Sequence, residues 1–399
     1  MPAIPNTEVK WITSEMRGAP VLNRQPGTLI ACLDAFLVTG WGLTTALSVT
    51  VADGTATATL TPGETFFRDA VVLIEGATPS ALNGEARVLS MTNSSITWAT
   101  VAPDGPATGT ITIKYAPQSA WQKVFSATNR AAYRSTHVQS NGHYLYVDDS
   151  ALLFARVIGY EEMFDIDTGV GPFPTPAQLS GGGYWHKSTA SNNNPAKYRL
   201  FADERLLITA WMPGVVSSAT AFSAPPFGFG DPEYLMPGGD AWGTILSSSS
   251  SSSSLSSTSS TSSLSSTALS TWGSSAICSP RAASGLGSCV LIDSRSFCGT
   301  SASGIDTHCG SAPSSIDGRI MMARLFLKEQ GNSMPPRALT PGIRYIPQTG
   351  VSSIAQDGDI LDGSNDLAGH RLMVLPSYSG YNTASPDWRY LVDITGPWR

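Results

Sequence analysis

Leu47-Ser-Val-Thr-Val-Ala-Asp-Gly-Thr-Ala-Thr-Ala-Thr-Leu60 is the stretch that decides the fold of this 399-residue chain. Leu47, Val49 and Val51 alternate with Ser and Thr, the period of two that is typical of a strand with one buried face. Asp53-Gly54 then supplies two residues that accept the positive φ of a tight hairpin turn. The stretch therefore predicts a β-hairpin, and we expect a mainly β fold.

More strand-like runs follow the hairpin, separated by turn clusters such as Asn83-Gly84. These runs are Val71–Ile74, Ala86–Met91, Ile96–Ala99 and Gly109–Ile113. Five or six short strands in so short a stretch predict a small N-terminal β-barrel or β-sandwich.

One helix is predicted before this small domain. Apolar residues from Leu29 to Leu37 recur at i, i+4, i+7 and i+8, which places them on one helical face. Thr28 is positioned to cap the first turn, and Gly40 is positioned to end the helix with a positive φ.

The rest of the chain predicts a larger, β-sandwich-like domain that is interrupted by a Ser-rich insert. Its strand-like runs are His143–Val147, Leu153–Ile158, Tyr198–Met212, Arg319–Lys328, Arg371–Leu375 and Tyr390–Ile394. We expect the late strands to complete the sheet begun before the insert, so that the domain is discontinuous. The Gly- and Pro-rich segments at 169–174 and 224–232 are interpreted as ordered loops, because Pro removes a backbone donor and fixes φ.

These patterns divide the chain into five segments. They are an N-terminal arm at 1–25, the helix and small β-domain at 26–117, the first part of the larger β-domain at 118–246, a Ser/Thr-rich and Cys-containing insert at 247–310, and the second part of the larger domain at 311–399. Between Ser247 and Thr271 almost every residue is Ser or Thr, a composition that buries too little apolar surface to offset the entropy of ordering.

Charge and hydropathy exclude several classes of protein. Lys and Arg number 24 against 30 Asp and Glu, a net charge of −6, and no basic block offers phosphate contacts, so we expect no nucleic acid partner. No apolar run is long enough to cross a bilayer, and no secretion signal is legible, so membrane insertion is not expected. Only 14% of residues are charged, against about 25% in ordinary soluble domains, which favours a surface partly covered by other protein.

The cysteine spacing does not predict a metal site. Cys278, Cys289, Cys298 and Cys309 are 11, 9 and 11 residues apart, whereas structural zinc ligands come in close pairs. Free thiols and disulfides remain alternatives, and we expect neither a metal nor a cofactor.

Acidic residues cluster between Glu161 and Asp167 and admit two functional interpretations. Glycosidases use a pair of carboxylates for acid and base catalysis. This chemistry needs a suitable distance between the two groups and a different pKa for each. A calcium loop needs further alternating oxygens and a closing Glu, which are missing. A solvated strand end and turn is therefore favoured, and Asp148-Asp149 are likewise interpreted as turn formers.

No catalytic residue is predicted. The chain has five histidines but no G-x-S-x-G elbow to anchor a serine triad, and it lacks H-E-x-x-H, the P-loop motif and a strand-linked G-x-G-x-x-G. The histidines are His137, His143, His186, His308 and His370.

Aromatic residues beside glycines are the candidate surface contacts. They are Tyr184, Trp185, His186, Phe227 and Phe229. Aromatic faces stack on pyranose rings, so these residues are candidates for contact with a receptor or host-surface glycan, while anchoring of the loops is the alternative.

Two sets of segments resemble parts of known proteins. Between residues 56 and 112 the chain resembles a small β-domain that recurs in virion proteins of tailed bacteriophages, in the segments Ala56–Gly63, Val71–Ala77, Leu82–Leu89, Ile96–Trp98 and Ala107–Thr112. A wider set resembles an uncharacterised family of phage tail or virion structural proteins, in the segments Trp121–Arg130, Tyr133–Ser135, Leu145–Asp149, Tyr160–Met163, Asp167–Gly169, Phe173–Thr175 and the closing Val392–Arg399.

The resemblance implies a late virion protein, most often tail-associated, that is located in the phage particle. Such a protein is expected to assemble as a symmetric homo-oligomer and to connect or decorate other virion proteins. The family supplies no catalytic residues, so a non-enzymatic protein is expected. Two alternatives stay open, a receptor- or glycan-binding module at the tail tip and a polysaccharide-degrading tail enzyme that uses the carboxylates of 161–167.

Overall fold

The computed structural model describes residues 4–188, 192–212, 226–250, 275–296, 309–330, 335–376 and 389–399. The chain is mainly β, with 44% of residues in strands and 7% in helical turns, which confirms the predicted fold class. Within the described ranges the sheets are antiparallel and none closes into a barrel. Most of the predicted Ser-rich insert lies outside these ranges, as do Cys298 and His308.

The N-terminal third contains a helix and ten short strands. Helix α1 (Thr28–Asp34) continues into a π-helical turn (Ala35–Thr39), and a 3₁₀ turn lies at Ser80–Leu82. The strands are β1 (Lys10–Thr13), β2 (Trp41–Thr45), β3 (Ser48–Ala52), β4 (Thr55–Thr59), β5 (Val71–Glu75), β6 (Gly84–Arg87), β7 (Ser90–Met91), β8 (Ser95–Ala99), β9 (Gly105–Pro106) and β10 (Thr112–Tyr115).

Strands β2 to β10 form a two-sheet sandwich. One sheet has the order β2-β10-β5-β6 and the other β7-β8-β4-β3-β9. The β3–β4 hairpin turns at Asp53 and Gly54, both at positive φ, as the sequence predicts. Alternate residues such as Val49 and Ile113 point into one shared apolar core, so the sandwich is the alternative that is realised.

The helix forms where it is predicted, but a distant residue caps it. Thr28 is the first helical residue and not the cap, and Gly27 before it has a φ of 79°. The Oδ2 atom of Asp149 accepts hydrogen bonds from the backbone N–H groups of Leu29 (2.8 Å) and Ile30 (3.3 Å). Asp149 is therefore a buried helix cap and not the turn former that the sequence suggested.

The middle of the chain forms one large sheet. Its strands are β11 (Trp121–Ala127), β12 (Arg130–Ser135), β13 (Tyr144–Asp148), β14 (Phe154–Met163), β15 (Gly169–Phe173), β16 (Gly183–His186), β17 (Lys197–Ala202), β18 (Leu206–Met212), β19 (Pro226–Gly230), β20 (Glu233–Tyr234), β21 (Ile245–Ser249), β22 (Ser275–Ser279), β23 (Val290–Ser296), β24 (Leu325–Glu329) and β25 (Pro336–Leu339). Their main order is β11-β12-β13-β14-β16-β21-β22-β23-β24-β25-β20. A branch leaves this path at β21 and runs through β19, β18 and β17 to β1.

The last strands form a sheet of their own. They are β26 (Ile343–Tyr345), β27 (Ile360–Asp362), β28 (Arg371–Pro376) and β29 (Arg389–Asp393), in the order β26-β29-β28-β27, with 3₁₀ turns at Val351–Ser353 and Asn365–Leu367. Among the strands described after residue 310, β24 and β25 alone join the large sheet, so the prediction that the strands near 371 and 390 also join it was wrong. The two faces of the small sheet are buried separately: Leu372, Val374 and Leu391 pack in a local cluster, while Met373, Leu375, Tyr390 and Val392 join the main core without joining the large sheet.

Two segments interpreted as loops are strands. Gly169–Phe173 pairs with β14, and Pro226–Gly230 lies between β18 and β21 inside the large sheet. Pro226 is the first residue of its strand, a position where a missing N–H is tolerated, and glycines do not prevent an extended backbone. Gly and Pro therefore excluded a helix here without excluding a strand.

The buried guanidinium of Arg87 joins the two ends of the chain to the small sandwich. All of its hydrogen bonds go to backbone carbonyls of the N-terminal arm, the sandwich and the C-terminal segment: Asn6 (2.8 Å), Val9 (3.0 Å), Asp69 (2.6 Å), Ile394 (2.9 Å) and Thr395 (3.0 Å). Burial lowers the pKa of Arg87 to about 10, which still leaves it charged at neutral pH.

We expect Arg87→Lys to destabilise the protein by roughly 3 kcal/mol, because one ammonium cannot satisfy five diverging buried carbonyls. Denaturant unfolding followed by tryptophan fluorescence measures this loss. The exposed neighbour Arg68 provides the control, since Arg68→Lys should change stability by less than about 0.5 kcal/mol. Equal midpoints for the two variants would contradict the assigned role of Arg87.

Candidate functional site

Four of the five candidate contact residues lie in the interior. Trp185 and His186 in β16 and Phe227 and Phe229 in β19 are buried, so the prediction that they form a surface contact was wrong. The strands that carry them are internal to the large sheet, and Trp185, Phe227 and Phe229 pack in the main hydrophobic core. Tyr184 alone stays partly exposed.

Tyr184 contacts Arg156, which lines a surface cleft formed by β13, β14 and the turn that follows β14. We call it the tyrosine–arginine cleft and define it by Tyr146, Asp148, Arg156, Ile158, Tyr160 and Asp167. Its volume is about 290 Å³. This volume is close to the lower limit for ligand-binding clefts and accommodates one or two small rings.

Strand alternation places these side chains on the outer face of the sheet. Leu145 and Val147 of β13 point into the core, so Tyr146 and Asp148 point outward. The register sets Asp148 opposite Arg156 and Tyr146 opposite Ile158. The floor of the cleft is therefore formed by paired strands, which fixes the positions of these four side chains.

Two tyrosines form the aromatic part of the cleft. The rings of Tyr146 and Tyr160 are perpendicular, with centroids 6.4 Å apart. Partial burial raises the pKa of both hydroxyls, so both are protonated at neutral pH and act as hydrogen-bond donors. Each ring thus offers an apolar face beside a polar group.

Arg156 forms one wall of the cleft. Its guanidinium lies over the Tyr184 ring, 3.9 Å from the centroid, and donates to the Tyr184 hydroxyl (2.7 Å) and to the carbonyls of Gly182 (2.6 Å) and Ser180. Among the described residues no carboxylate forms an ion pair with Arg156. Its positive charge is therefore held in place without being neutralised by a paired acid.

The acidic run of 161–167 is engaged elsewhere. Glu161 accepts two hydrogen bonds of 2.7 Å from Arg281, and Asp167 is paired with Arg130 at the rim of the cleft. The Oδ1 atom of Asp165 accepts the backbone N–H groups of Asp167 and Thr168, both at 2.7 Å, and these bonds lower the pKa of Asp165. The run is the end of β14 at 161–163 followed by a turn at 164–168 that the Asp165 side chain closes, which matches the strand end and turn of the favoured interpretation.

In the part of the chain that the structure describes, no three His, Cys, Asp or Glu side chains lie close enough together to hold a metal ion. Cys32, Cys278 and Cys289 are buried and form no disulfide, and Cys309 is partly exposed. Burial raises the pKa of the Cys32 thiol to about 12, which makes it a poor nucleophile.

His143 belongs to a buried chain of hydrogen bonds that has the look of a catalytic triad. Its Nδ1 atom lies 2.7 Å from the Thr244 hydroxyl, which donates to Asp231 Oδ1 at 2.5 Å. Asp231 also accepts from Ser140 and from the backbone of Asn141, both at 2.8 Å. The hydroxyl sits between the base and the acid, and all three side chains are buried, so the chain of bonds is structural.

Comparison with known proteins identifies no family. No family model matches the chain, and no curated protein matches it. Among solved structures, one similar chain is "Phage phi92 endosialidase", with 10% identity and a TM-score of 0.16. The alignment covers 89% of this chain and 52% of that one, so this chain spans about half of its length. A TM-score of 0.16 establishes neither a common fold nor a common activity.

That neighbour is an enzyme by name, and the prediction of a non-enzymatic protein is contradicted on this account and withdrawn. No helix among the described residues has the length and apolar character needed to span a membrane.

We expect the protein to lose stability as the pH falls below about 6.5, because His143 is held neutral. Burial, which outweighs the attraction of Asp231 and Glu161, lowers the pKa of His143 below its usual 6.5. The unfolded chain then binds a proton that the folded chain does not, so acid favours unfolding. Melting temperatures of wild type and His143→Gln, measured from about pH 8 to about pH 5, should diverge in slope, the variant being flatter. Identical slopes would contradict this role.

Proposed function

We propose that this chain is a tail-associated component of a tailed-phage particle that contacts a bacterial surface glycan through the tyrosine–arginine cleft. The virion assignment is supported by the sequence segments that resemble phage tail and virion proteins. The glycan contact is supported by one observation, a cleft on the rigid outer face of a sheet that combines two perpendicular tyrosines with an arginine and two carboxylates.

This combination suits a sugar for chemical reasons. A pyranose ring presents an apolar C–H face, which packs on an aromatic ring, and a rim of hydroxyls, which both donate and accept hydrogen bonds. Tyr146 and Tyr160 supply ring faces, while Arg156 donates and Asp148 accepts at the edge. The protein buries much of each ring beforehand, which reduces the entropy lost on binding.

Assembly with other copies and with other virion proteins is part of the proposal. The low charged fraction of 14% suits a protein whose surface is partly covered in the particle. Exposed apolar residues such as Val138 (94%) and Leu286 (73%) are available for such contacts.

A second function, cleavage of the bound polysaccharide, is favoured by the presence of Asp148 and Asp167 in the same cleft. Glycoside hydrolysis uses two carboxylates on either side of the bond that breaks. Asp167 is already paired with Arg130, whereas Asp148 forms no ion pair among the described residues, so Asp148 is the carboxylate available to protonate the leaving-group oxygen or to activate water. Incubation of the bound polysaccharide with the wild-type chain should release reducing ends. The Asp148→Asn variant should release none if this function is correct.

We expect Tyr160→Ala to weaken glycan binding at least about tenfold, or ~1.4 kcal/mol, because it removes one stacking face from the centre of the cleft. An array of immobilised capsular polysaccharides and lipopolysaccharide O-chains, probed with the purified chain, measures the binding. Phe164→Ala is the matched control, since Phe164 is an exposed aromatic (58%) that does not line the cleft. It should bind as wild type does.

Two results would overturn the proposal. No binding to any glycan of the array would remove the proposed contact, and equal loss in both variants would show that the cleft is not the place of binding. The virion assignment has its own test, which is mass spectrometry of purified phage particles. Failure to detect this chain in the particles would contradict the assignment.

A further inference from the structure

The side chains of Asp149 and Lys187 form an isolated ion pair in the interior. Both side chains are fully buried, with 0% exposure each, and Nζ of Lys187 contacts Oδ1 of Asp149. Asp149 follows the end of β13 and Lys187 follows the end of β16. Removing two full charges from water is costly, and a single contact repays that cost only in part.

The hydrogen bonds around the pair do not satisfy the lysine ammonium in full. Oδ2 of Asp149 accepts from the backbone N–H groups of Leu29 (2.8 Å) and Ile30 (3.3 Å), whereas Oδ1 has Lys187 as its partner. Nζ of Lys187 donates to Oδ1 and to the carbonyl of Gln25 (2.7 Å). An ammonium has three N–H groups, and within the described residues these two acceptors leave the third without one.

Burial moves both groups toward their neutral forms. It raises the pKa of the Asp149 carboxyl and lowers the pKa of the Lys187 amine, in each case as the largest effect. A neutral amine is nucleophilic, and a protonated carboxyl is a better electrophile than a carboxylate. The two reacting groups are also held in contact, which replaces a bimolecular encounter by an intramolecular one.

We propose that Lys187 and Asp149 condense into an isopeptide bond that links Nζ of the lysine to Cγ of the aspartate. The lone pair of Nζ attacks Cγ, and the charge that develops on Oδ2 is stabilised by the N–H groups of Leu29 and Ile30. The Cγ–Oδ1 bond then breaks, and Oδ1 leaves as water with its own proton and one from Nζ. The step eliminates one water from an amine and a carboxylic acid and needs no oxidant, metal or further reactant.

The product retains the hydrogen bonds that the structure already provides. Oδ2 becomes the amide oxygen and keeps its two backbone donors, and the remaining Nζ–H keeps the Gln25 carbonyl. The departing Oδ1 has no partner besides Lys187 among the described residues. Condensation thus removes two buried charges and leaves no orphaned donor or acceptor.

Mass spectrometry of the intact, denatured full-length chain tests the proposal. The expected mass is lower than that of the sequence by one water. Trypsin should then fail to cut after Lys187, so that peptide 135–156, which carries Asp149, is found covalently joined to peptide 157–197. Fragmentation of the joined species should place the bond between Lys187 and Asp149.

Matched lysine variants separate this bond from other losses of water. Lys187→Gln should restore the full expected mass, and Lys10→Gln should keep the deficit. Lys10 is also buried and contacts Glu85 (2.6 Å) and the Pro117 carbonyl (2.7 Å), but Glu85 is one quarter exposed, and among the described residues no backbone N–H donates to it.

The peptide map of the wild-type chain decides the matter even if a variant fails to fold. Cleavage after Lys187 together with an unmodified peptide 135–156 would overturn the proposal, as would a water loss located at any other pair of residues. These outcomes are independent of glycan binding, so they leave the proposed function untouched.

Discussion

The carboxylate of Asp149 is the point on which several parts of this chain depend. It lies at the end of β13, yet it binds the first N–H groups of helix α1 and the amine of Lys187 beyond β16. Helix, sheet and connecting loops therefore share one buried group, and none can move far without leaving buried donors unpaired. Its neighbour Asp148 points the other way and lines the cleft, so the surface site is built on the same anchor.

Local signals made part of this fold predictable. The β3–β4 hairpin and the extent of helix α1 follow from alternation, helical periodicity and turn residues within one short stretch. The cap of the helix was not predictable in this way, because Asp149 is about 120 positions away in the sequence. The same limit applies to β19, where the Pro and Gly content of the segment was visible but its position inside a large sheet was not.

The cleft was missed for a different reason. The glycine-flanked aromatics Trp185 and Phe229 were predicted as surface contacts, but the sheet buries them. The informative pattern was the alternation of Tyr144, Tyr146 and Asp148 with Leu145 and Val147. Such alternation identifies which tyrosines face outward once a strand is recognised. It says nothing of Tyr160 and Arg156, whose place beside them depends on the pairing of β13 with β14.

The hydrogen bonds of Arg87 have a mechanical consequence. They hold Asn6 and Val9 next to Ile394 and Thr395, so the two ends of the described chain leave the molecule side by side. A force that pulls these two ends apart therefore acts on the hydrogen bonds of one guanidinium as well as on the pairing of β1 with β17. The Arg87 hydrogen bonds thus bear part of a force applied to the two ends, which reduces the part that reaches the sheets.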